Sequence, residues 1–379
     1  MNFQLIEVKD KKTINDFHSL LFKLYAKDVN WVPHLKQEVE EVFNRETNPY
    51  FSHSEAIRWV LYNDKNEPIG RVAAFINKKT AFTFDQPTGG MGFFECINDK
   101  NAAFILFDKC KDWLIERGMK AMDGPINFGE KDRYWGLLSE GGDKPAIYTM
   151  NHNPDYYKQF FEEYGFTKFY EQIVYYRSAV DPPHPRLNAV AERVTRNKEY
   201  RFERIKKSEA VKFAEDFRII YNKAWIAERS DHEEMTSKRA LEIMKKMKPI
   251  IDEDTCWYVY HNDKPVGVYI SIPELNEVFK HVHGNLNWLG KLKFLWYMKT
   301  KPPRATMGIV FGIIPEYQGK GLEAGIFTEL GKIIQPKKTY DRILISWIGD
   351  FNEKMIHLLI ALLQVVPYKK FITYRKVFN

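Results

Sequence analysis

The sequence predicts an α+β protein made of two copies of one unit in tandem, each a mixed, mostly antiparallel sheet flanked by helices. Three observations carry this. The order strand, helix, hairpin, strand, helix, strand, helix, strand can be read twice along the chain. In each half a hairpin turns on an Asn–Asp pair, with 59–64 leading to 68–75 and 257–263 leading to 265–270. Between the copies lies Asp181-Pro182-Pro183-His184-Pro185, a stiff proline run.

Each element has its own signal. In the first copy a strand at 3–8 precedes a helix in which Ile14, Phe17, Leu20, Leu21 and Leu24 recur at helical spacing. After the hairpin come a strand near 91–96, a helix near 101–117, a strand near 120–124, a helix near 154–164 and a final strand near 168–177. The second copy opens with a strand at 200–205 and a helix carrying Val211, Phe213, Phe217, Ile220 and Tyr221. Its hairpin is followed by a strand near 306–314, a helix near 321–334, a strand near 341–347, a helix near 352–365 and a strand near 369–378. The expected organisation is therefore a first domain over 1–180, a linker over 181–198 and a second domain over 199–379.

Composition excludes several classes. With 44% hydrophobic and 15% aromatic residues among 379, the chain has enough apolar mass for a full core and is not disordered. Cys96, Cys110 and Cys256 form no short paired motif, which argues against a disulfide framework and for a reducing compartment. Met1-Asn2-Phe3-Gln4-Leu5 lacks the basic and apolar regions of a signal peptide, and no apolar run approaches the ~18 residues a spanning helix needs. A soluble, cytoplasmic protein is expected. The net charge of +7 is modest for this length and suits a solvated surface, an anionic ligand or an anionic membrane. No basic helix with base-reading residues is present, so nucleic acid is not an expected partner.

The most informative segment runs from Gly308 through Pro315-Glu316-Tyr317-Gln318-Gly319-Lys320-Gly321 to Ala324. An apolar strand stops at Pro315, and Leu322, Ile326, Phe327, Leu330, Ile333 and Ile334 then share one helical face. A glycine-rich turn between strand and helix offers unpaired N–H groups at the positive end of a helix dipole, an anion site and most often a phosphate site. The spacing fits neither the G-x-x-x-x-G-K-[ST] loop nor the dinucleotide G-x-G-x-x-G fingerprint.

Gln318-Gly319-Lys320-Gly321 resembles instead the Q/R-x-x-G-x-G/A loop of the GNAT acyl-CoA N-acyltransferases. The element order of each half is also similar to the GNAT fold, so nearly the whole chain resembles a bacterial tandem GNAT. The resemblance implies that pantetheine lies where 307–314 splays from 342–347 and that Gln318, Gly319, Lys320 and Gly321 hold the coenzyme A pyrophosphate. It implies further that the N–H near Ile313 polarises the thioester carbonyl, in an oxyanion role.

The chain departs from the family at two places. Position 323, usually Gly or Ala, is Glu323, and the usual tyrosine acid seven residues beyond Asn352 is Leu359, with Phe161 at the matching place in the first copy. Asn352 itself is retained. Between its strand and helix the first copy has Ile97-Asn98-Asp99-Lys100-Asn101 and no glycine loop, so one acyl-CoA per chain is expected.

The loop 124–136 follows a strand end, where sites commonly lie, and its Glu130 and Asp132 are candidate bases for an ammonium acceptor. Trp288, Leu289, Leu292, Leu295 and Trp296 form a helical stripe bordered by Lys291, Lys293, Lys299 and Lys301. This helix either packs on the core or, over 286–299, contacts a membrane or an acyl chain. His281 and His283 would share a strand face, but no further ligands stand nearby, and no metal is expected. No nucleophile elbow argues for a covalent acyl-enzyme.

The sequence thus points to an N-acyltransferase that moves an acyl group, expected to be acetyl, from acetyl-CoA or another acyl-CoA to a small-molecule or lipid amine. The alternatives are long-chain transfer to a lipid amine at a membrane, a non-catalytic acyl-CoA binder or scaffold, and transfer of an aminoacyl group from tRNA.

Overall fold

The computed structural model describes residues 3–182, 184–226 and 234–378; Pro183 of the proline run and positions 1, 2 and 379 lie outside them. The first half contains β1 (Gln4–Glu7), α1 (Lys11–Leu24), α2 (Lys36–Val42), β2 (Glu55–Tyr62), β3 (Pro68–Ile76), β4 (Thr88–Cys96) and α3 (Lys100–Ile115). It continues with β5 (Ala121–Gly124), β6 (Leu137–Glu140), α4 (Tyr156–Tyr164) and β7 (Thr167–Ser178). Then come α5 (Pro185–Arg196), β8 (Tyr200–Arg204), α6 (Ala210–Tyr221), α7 (Ser237–Met247), β9 (Trp257–His261) and β10 (Lys264–Pro273). The chain closes with α8 (Asn276–Phe279), α9 (Trp288–Thr300), β11 (Ala305–Ile313), α10 (Leu322–Lys337), β12 (Arg342–Gly349), α11 (Glu353–Leu358) and β13 (Val366–Val377).

Local chemistry accounts for several boundaries. Asp10 caps α1, accepting from the Thr13 amide at 2.8 Å, while the Thr13 hydroxyl reaches back to the Asp10 amide as a capping box. The α4 helix ends where Gly165 turns left-handed at φ 91°. The two hairpins differ in their turns. The second is a two-residue turn with Asn262 and Asp263 both left-handed, at φ 47° and 62°. The first is longer, because the Asn63 side chain accepts from the Lys65 and Glu67 amides and the left-handed residue is Asn66.

All strands join one 13-stranded sheet in the order β1-β2-β3-β4-β5-β13-β7-β12-β11-β10-β9-β8, with β6 on β13. Pairs are antiparallel except β4–β5 and β11–β12. The final strands are exchanged. β7, which ends the first half, pairs with β12 of the second, and β13, which ends the second, pairs with β5 of the first. β7 and β13 then pair with each other at the centre. Neither half closes its sheet with its own last strand.

Each half keeps a large core of its own. One centres on Trp59, Phe107, Trp113 and Phe161, the other on Phe213, Trp257, Tyr258 and Leu330. Between them Leu138, Val174, Met307, Leu344 and Phe371 form a cluster drawn from both halves.

Three expectations are corrected. Residues 185–196, assigned to the linker, form α5, because Leu187, Ala191 and Val194 bury one face of it against the second half. Pro185 takes the first helical position, where its missing N–H costs nothing. His281 and His283 lie in a turn, not on a strand; His281 stacks on Tyr297 at 4.1 Å, and His283 is left-handed at φ 53°. The helix expected over 352–365 is α-helical only to Leu358, and Leu359–Leu363 form a π-helical turn.

Candidate functional site

β11 and β12 are parallel partners from Ala305–Arg342 to Gly308–Ile345, and then they part. A bulge sits at the parting in each strand. Against β10 the register of β11 jumps so that Ile270 faces Val310 and Ser271 faces Gly308, leaving Ile309 as the extra residue. Against β7 the register of β12 shifts between Ile345 and Ile348. Beyond the bulges β11 stays with β10 as far as Ile313–Gly267, and β12 stays with β7 as far as Gly349–Gln172. The wedge between them is bounded by half-buried Val310, Phe311, Trp347 and Ile348.

Backbone direction inside the wedge follows from strand alternation. The Ile314 amide donates to Val266 O at 3.0 Å, so the N–H and C=O of Ile313 turn to the opposite edge, which β12 has left open. The Gln318 side-chain Nε2 donates to Ile313 O at 3.1 Å, folding this otherwise exposed side chain back onto the last strand carbonyl.

The glycine turn lies directly above. Pro315–Tyr317 make one 3₁₀ turn, Gly319 and Gly321 are left-handed at φ 72° and 86°, and α10 starts at Leu322 with no side-chain cap. Within the described residues no hydrogen bond occupies the amides of Gly319, Lys320, Gly321, Leu322 and Glu323. Consecutive free amides at a helix N-terminus form an anion cradle. Lys320 lies 4.4 Å from the Tyr317 ring, and the Tyr317 hydroxyl is held 2.8 Å from His261 Nδ1. Glu323 is 8% exposed and has no hydrogen-bond partner among the described residues.

The α5 helix crosses this turn. A Cβ at position 321 would lie 2.5 Å from Val190 Cγ1 and 3.6 Å from Arg193 Nη2, so α5 brings an exposed guanidinium to the cradle. Leu359, at the place of the usual acid, is 2% exposed and packs with Leu187 and Ala191 of α5 and Ala324 of α10. Asn352 caps α11 through the Met355 amide at 3.3 Å. Phe161 is fully buried in the first core.

The equivalent place in the first half is closed. β4 and β5 pair from Thr88–Ala121 to Gly90–Asp123, but the Ile126 amide then donates to Met91 O at 2.8 Å and the gap never opens. A Cβ at Gly92 would lie 1.8 Å from Ile126 O. The first amides of α3 are also taken, since the Asp99 carboxylate accepts from Asn101 and Ala102 at 2.8 and 3.2 Å. Side by side, the two halves differ at both features an acyl-CoA would use.

The first half contributes a loop instead. The Trp347 indole, on the open part of β12, donates to Lys131 O at 3.2 Å, setting the loop that carries Glu130 and Asp132 beside the wedge. Glu130 pairs with Arg239 of α7 at 3.0 Å. Asp132 is exposed, and its backbone carbonyl accepts from the Thr149 hydroxyl at 3.2 Å. Lost hydration raises its carboxyl above the usual range, Arg133 opposes this, and the Glu130 charge adds to it.

Sequence reasoning missed Arg193, Trp347 and Tyr269. The Tyr269 hydroxyl is buried without a partner at the parting of the strands, 2.7 Å from where a Cβ on Gly308 would stand. The helical spacing of Leu187, Val190, Ala191 and Val194 was the available signal for α5. Nothing local marks Trp347 or Tyr269. Among the described residues no group of His, Cys, Asp and Glu is placed to hold a metal, and no helix is long and apolar enough to cross a membrane.

The chain has the tandem GNAT fold. It superposes on a tandem GNAT protein from the clavulanic acid biosynthesis pathway with a TM-score of 0.57 at 10% identity, covering 99% of this chain and 98% of that one. A GCN5-related N-acetyltransferase from Sphaerobacter thermophilus gives 0.55 at 8% identity, covering 99% and 95%. In sequence the chain is similar to a protein named bacterial ceramide synthase from Caulobacter vibrioides (strain NA1000 / CB15N), 27% identical over 367 residues, 94% of this chain and 93% of the other. It is also similar to Protein YghO of Escherichia coli (strain K12), 24% identical over 387 residues, 97% of this chain and 93% of the other. No family model matches the sequence.

Proposed function

We propose that this protein transfers a long-chain acyl group from coenzyme A to the amine of a lipid, using the β11–β12 wedge and the cradle at the start of α10. The observation that carries the reading is the difference between the halves. Only the second half both opens its parallel strand pair and leaves the amides of the following helix free, while the first seals the gap with Ile126 and fills its helix start with Asp99. The cradle amides, Lys320 and Arg193 suit a pyrophosphate, and the N–H of Ile313 suits a thioester carbonyl.

In this reading the amine attacks the thioester carbonyl carbon, a C–N bond forms as the C–S bond breaks, and the proton lost by nitrogen ends on the departing sulfur. Asp132 is the group assigned to take that proton and return it, since position 359 has no phenol. Its raised carboxyl brings its proton affinity closer to the task. Glu130 is held by Arg239 and orients the loop. The similarity to a protein named ceramide synthase supports a long acyl chain and a lipid amine as acceptor, and apolar Val310, Phe311, Trp347 and Ile348 stand at the parting of the strands.

The test has two stages. Thermal stabilisation by free coenzyme A reads the cradle. Thiol release from acetyl-CoA and palmitoyl-CoA, each against short polyamines and long-chain amino alcohols, then reads the chemistry. Release confined to the palmitoyl donor and long-chain acceptors is expected. Stabilisation without release from any pair would make the protein an acyl-CoA binder, and absence of stabilisation would remove coenzyme A altogether.

A further inference from the structure

The α9 helix is apolar on two opposite faces, and only one is covered. Gly290, Phe294, Tyr297 and Met298 turn inward, with Phe294 stacked on Phe279 at 5.3 Å and Tyr297 on His281. On the other face Trp288 is 68% exposed, Leu289 49%, Leu292 56%, Leu295 63% and Trp296 57%. A helix with apolar residues all round is normally buried all round. Here five large side chains stand together in solvent, and a contiguous apolar patch of that kind marks an interaction surface.

Charge selects the partner. At 3.6 residues per turn, Lys291 and Lys293 border the bare face on its two sides, Lys299 lies at its C-terminal end, and Lys301 follows the helix near His281. All four are exposed and make no ion pair among the described residues, and 286–303 contains no acidic residue. Two indoles and three leucines rimmed by unpaired lysines match an anionic bilayer surface: leucines reach the acyl region, indoles sit at headgroup depth, and lysines meet lipid phosphates. A second protein copy would bring the same lysines against each other.

We infer that α9 seats the protein on the surface of an anionic phospholipid membrane, lying flat with Trp288, Leu289, Leu292, Leu295 and Trp296 in the headgroup boundary. The inner face of α9 is tied to the start of the β11 bulge, because Phe294, Met298 and Ile309 pack on one cluster with Phe279 and Val282. Membrane binding itself is independent of the acyl-transfer reading and is read without turnover.

Co-sedimentation of the full chain with phosphatidylcholine vesicles, with and without 30% phosphatidylglycerol, tests the inference. Binding to the anionic vesicles is expected, weakened ~10-fold or more by Trp288→Ala with Trp296→Ala. Lys291→Gln with Lys293→Gln is expected to weaken it several-fold, and raised salt to weaken it further. Equal binding by native protein and the lysine variant would overturn the inference, and so would no binding by native protein. A native dimer that the tryptophan substitutions dissociate, with vesicle binding unchanged, would assign the face to a second copy. If the tryptophan variant does not fold, the lysine pair decides alone.

Discussion

Replacing Gly321 with alanine tests the cradle and its packing against α5 together. At φ 86° an alanine gives up roughly 1–2 kcal/mol to the left-handed backbone. Its Cβ would also meet Val190 Cγ1 at 2.5 Å, an overpacking worth about 1–3 kcal/mol. The total expected loss is ~2–5 kcal/mol. Gly319→Ala is the internal reference, since position 319 is left-handed at φ 72° with nothing within 4 Å and should lose only the dihedral part. Adding Val190→Ala should restore the steric part in the 321 variant and nothing in the 319 variant, a coupling of about 1–3 kcal/mol. Urea-unfolding midpoints give these numbers, and calorimetric titration with coenzyme A gives the affinity. Because α10 must shift to relieve the clash, coenzyme A affinity should fall at least ~10-fold in Gly321→Ala and recover in the double variant. Additive stabilities for 321 and 190, with unchanged affinity, would refute both the packing and the cradle.

Three further outcomes follow from the same geometry. Asp132→Asn should lower kcat for thiol release by ~100-fold or more with little change in the KM for acyl-CoA, and native activity should fall as pH drops through the raised carboxyl range; a variant keeping a third of native kcat would clear Asp132 of the proton transfer. The carboxyl of Glu274, 4% exposed, is pushed up to about 7 by burial against an ordinary 4.5, with the amides of Tyr148 and Asn276 opposing. Folded protein therefore holds a proton that the unfolded chain releases, so this group's contribution is greatest below about 4.5 and is lost as pH rises to about 7, roughly 3 kcal/mol in all. Glu274→Gln should flatten that fall in urea midpoints measured from pH 4.5 to 8, leaving the share of Glu95, whose carboxyl burial likewise raises to about 7. Gly92→Ala sets a Cβ 1.8 Å from the Ile126 carbonyl and should cost more than ~3 kcal/mol, measured by the same unfolding; a near-native midpoint would mean the first-half gap is not sealed by that backbone.

The repeat was legible because each unit buries one face of its strands and helices. Leu322, Ile326 and Leu330 repeat at helical spacing, and the hairpin strands alternate around polar turns. The glycine turn was legible for the same local reason, since Gly319 and Gly321 adopt backbone angles few other residues tolerate. The α5 helix is hard to see in the sequence because a run of prolines signals a break, although Pro185 sits where a proline starts a helix and Leu187, Ala191 and Val194 follow it. The stripe on α9 was visible, but which of its two apolar faces the protein covers depends on Phe279 and His281, which precede it in the chain yet meet it only through tertiary packing.

By itself the sequence determined the local matters: two similar α+β units, a free-amide turn in one of them, and the lack of a tyrosine at 161 and 359. Tertiary structure decided the rest. The exchange of β7 and β13 couples the halves into one sheet, and it is invisible locally because backbone pairing between strands carries no mark of which half a strand comes from. Whether a strand pair opens is likewise a long-range matter: Ile126 closes the first half by bonding Met91 across the gap, whereas β11 and β12 are drawn apart by separate partners, β10 and β7. Trp347 and Lys131 meet only because of that exchange, and with them the loop of Asp132 comes to the wedge. Periodicity and turn chemistry act over a few residues, while the site is made by contacts between residues some two hundred positions apart.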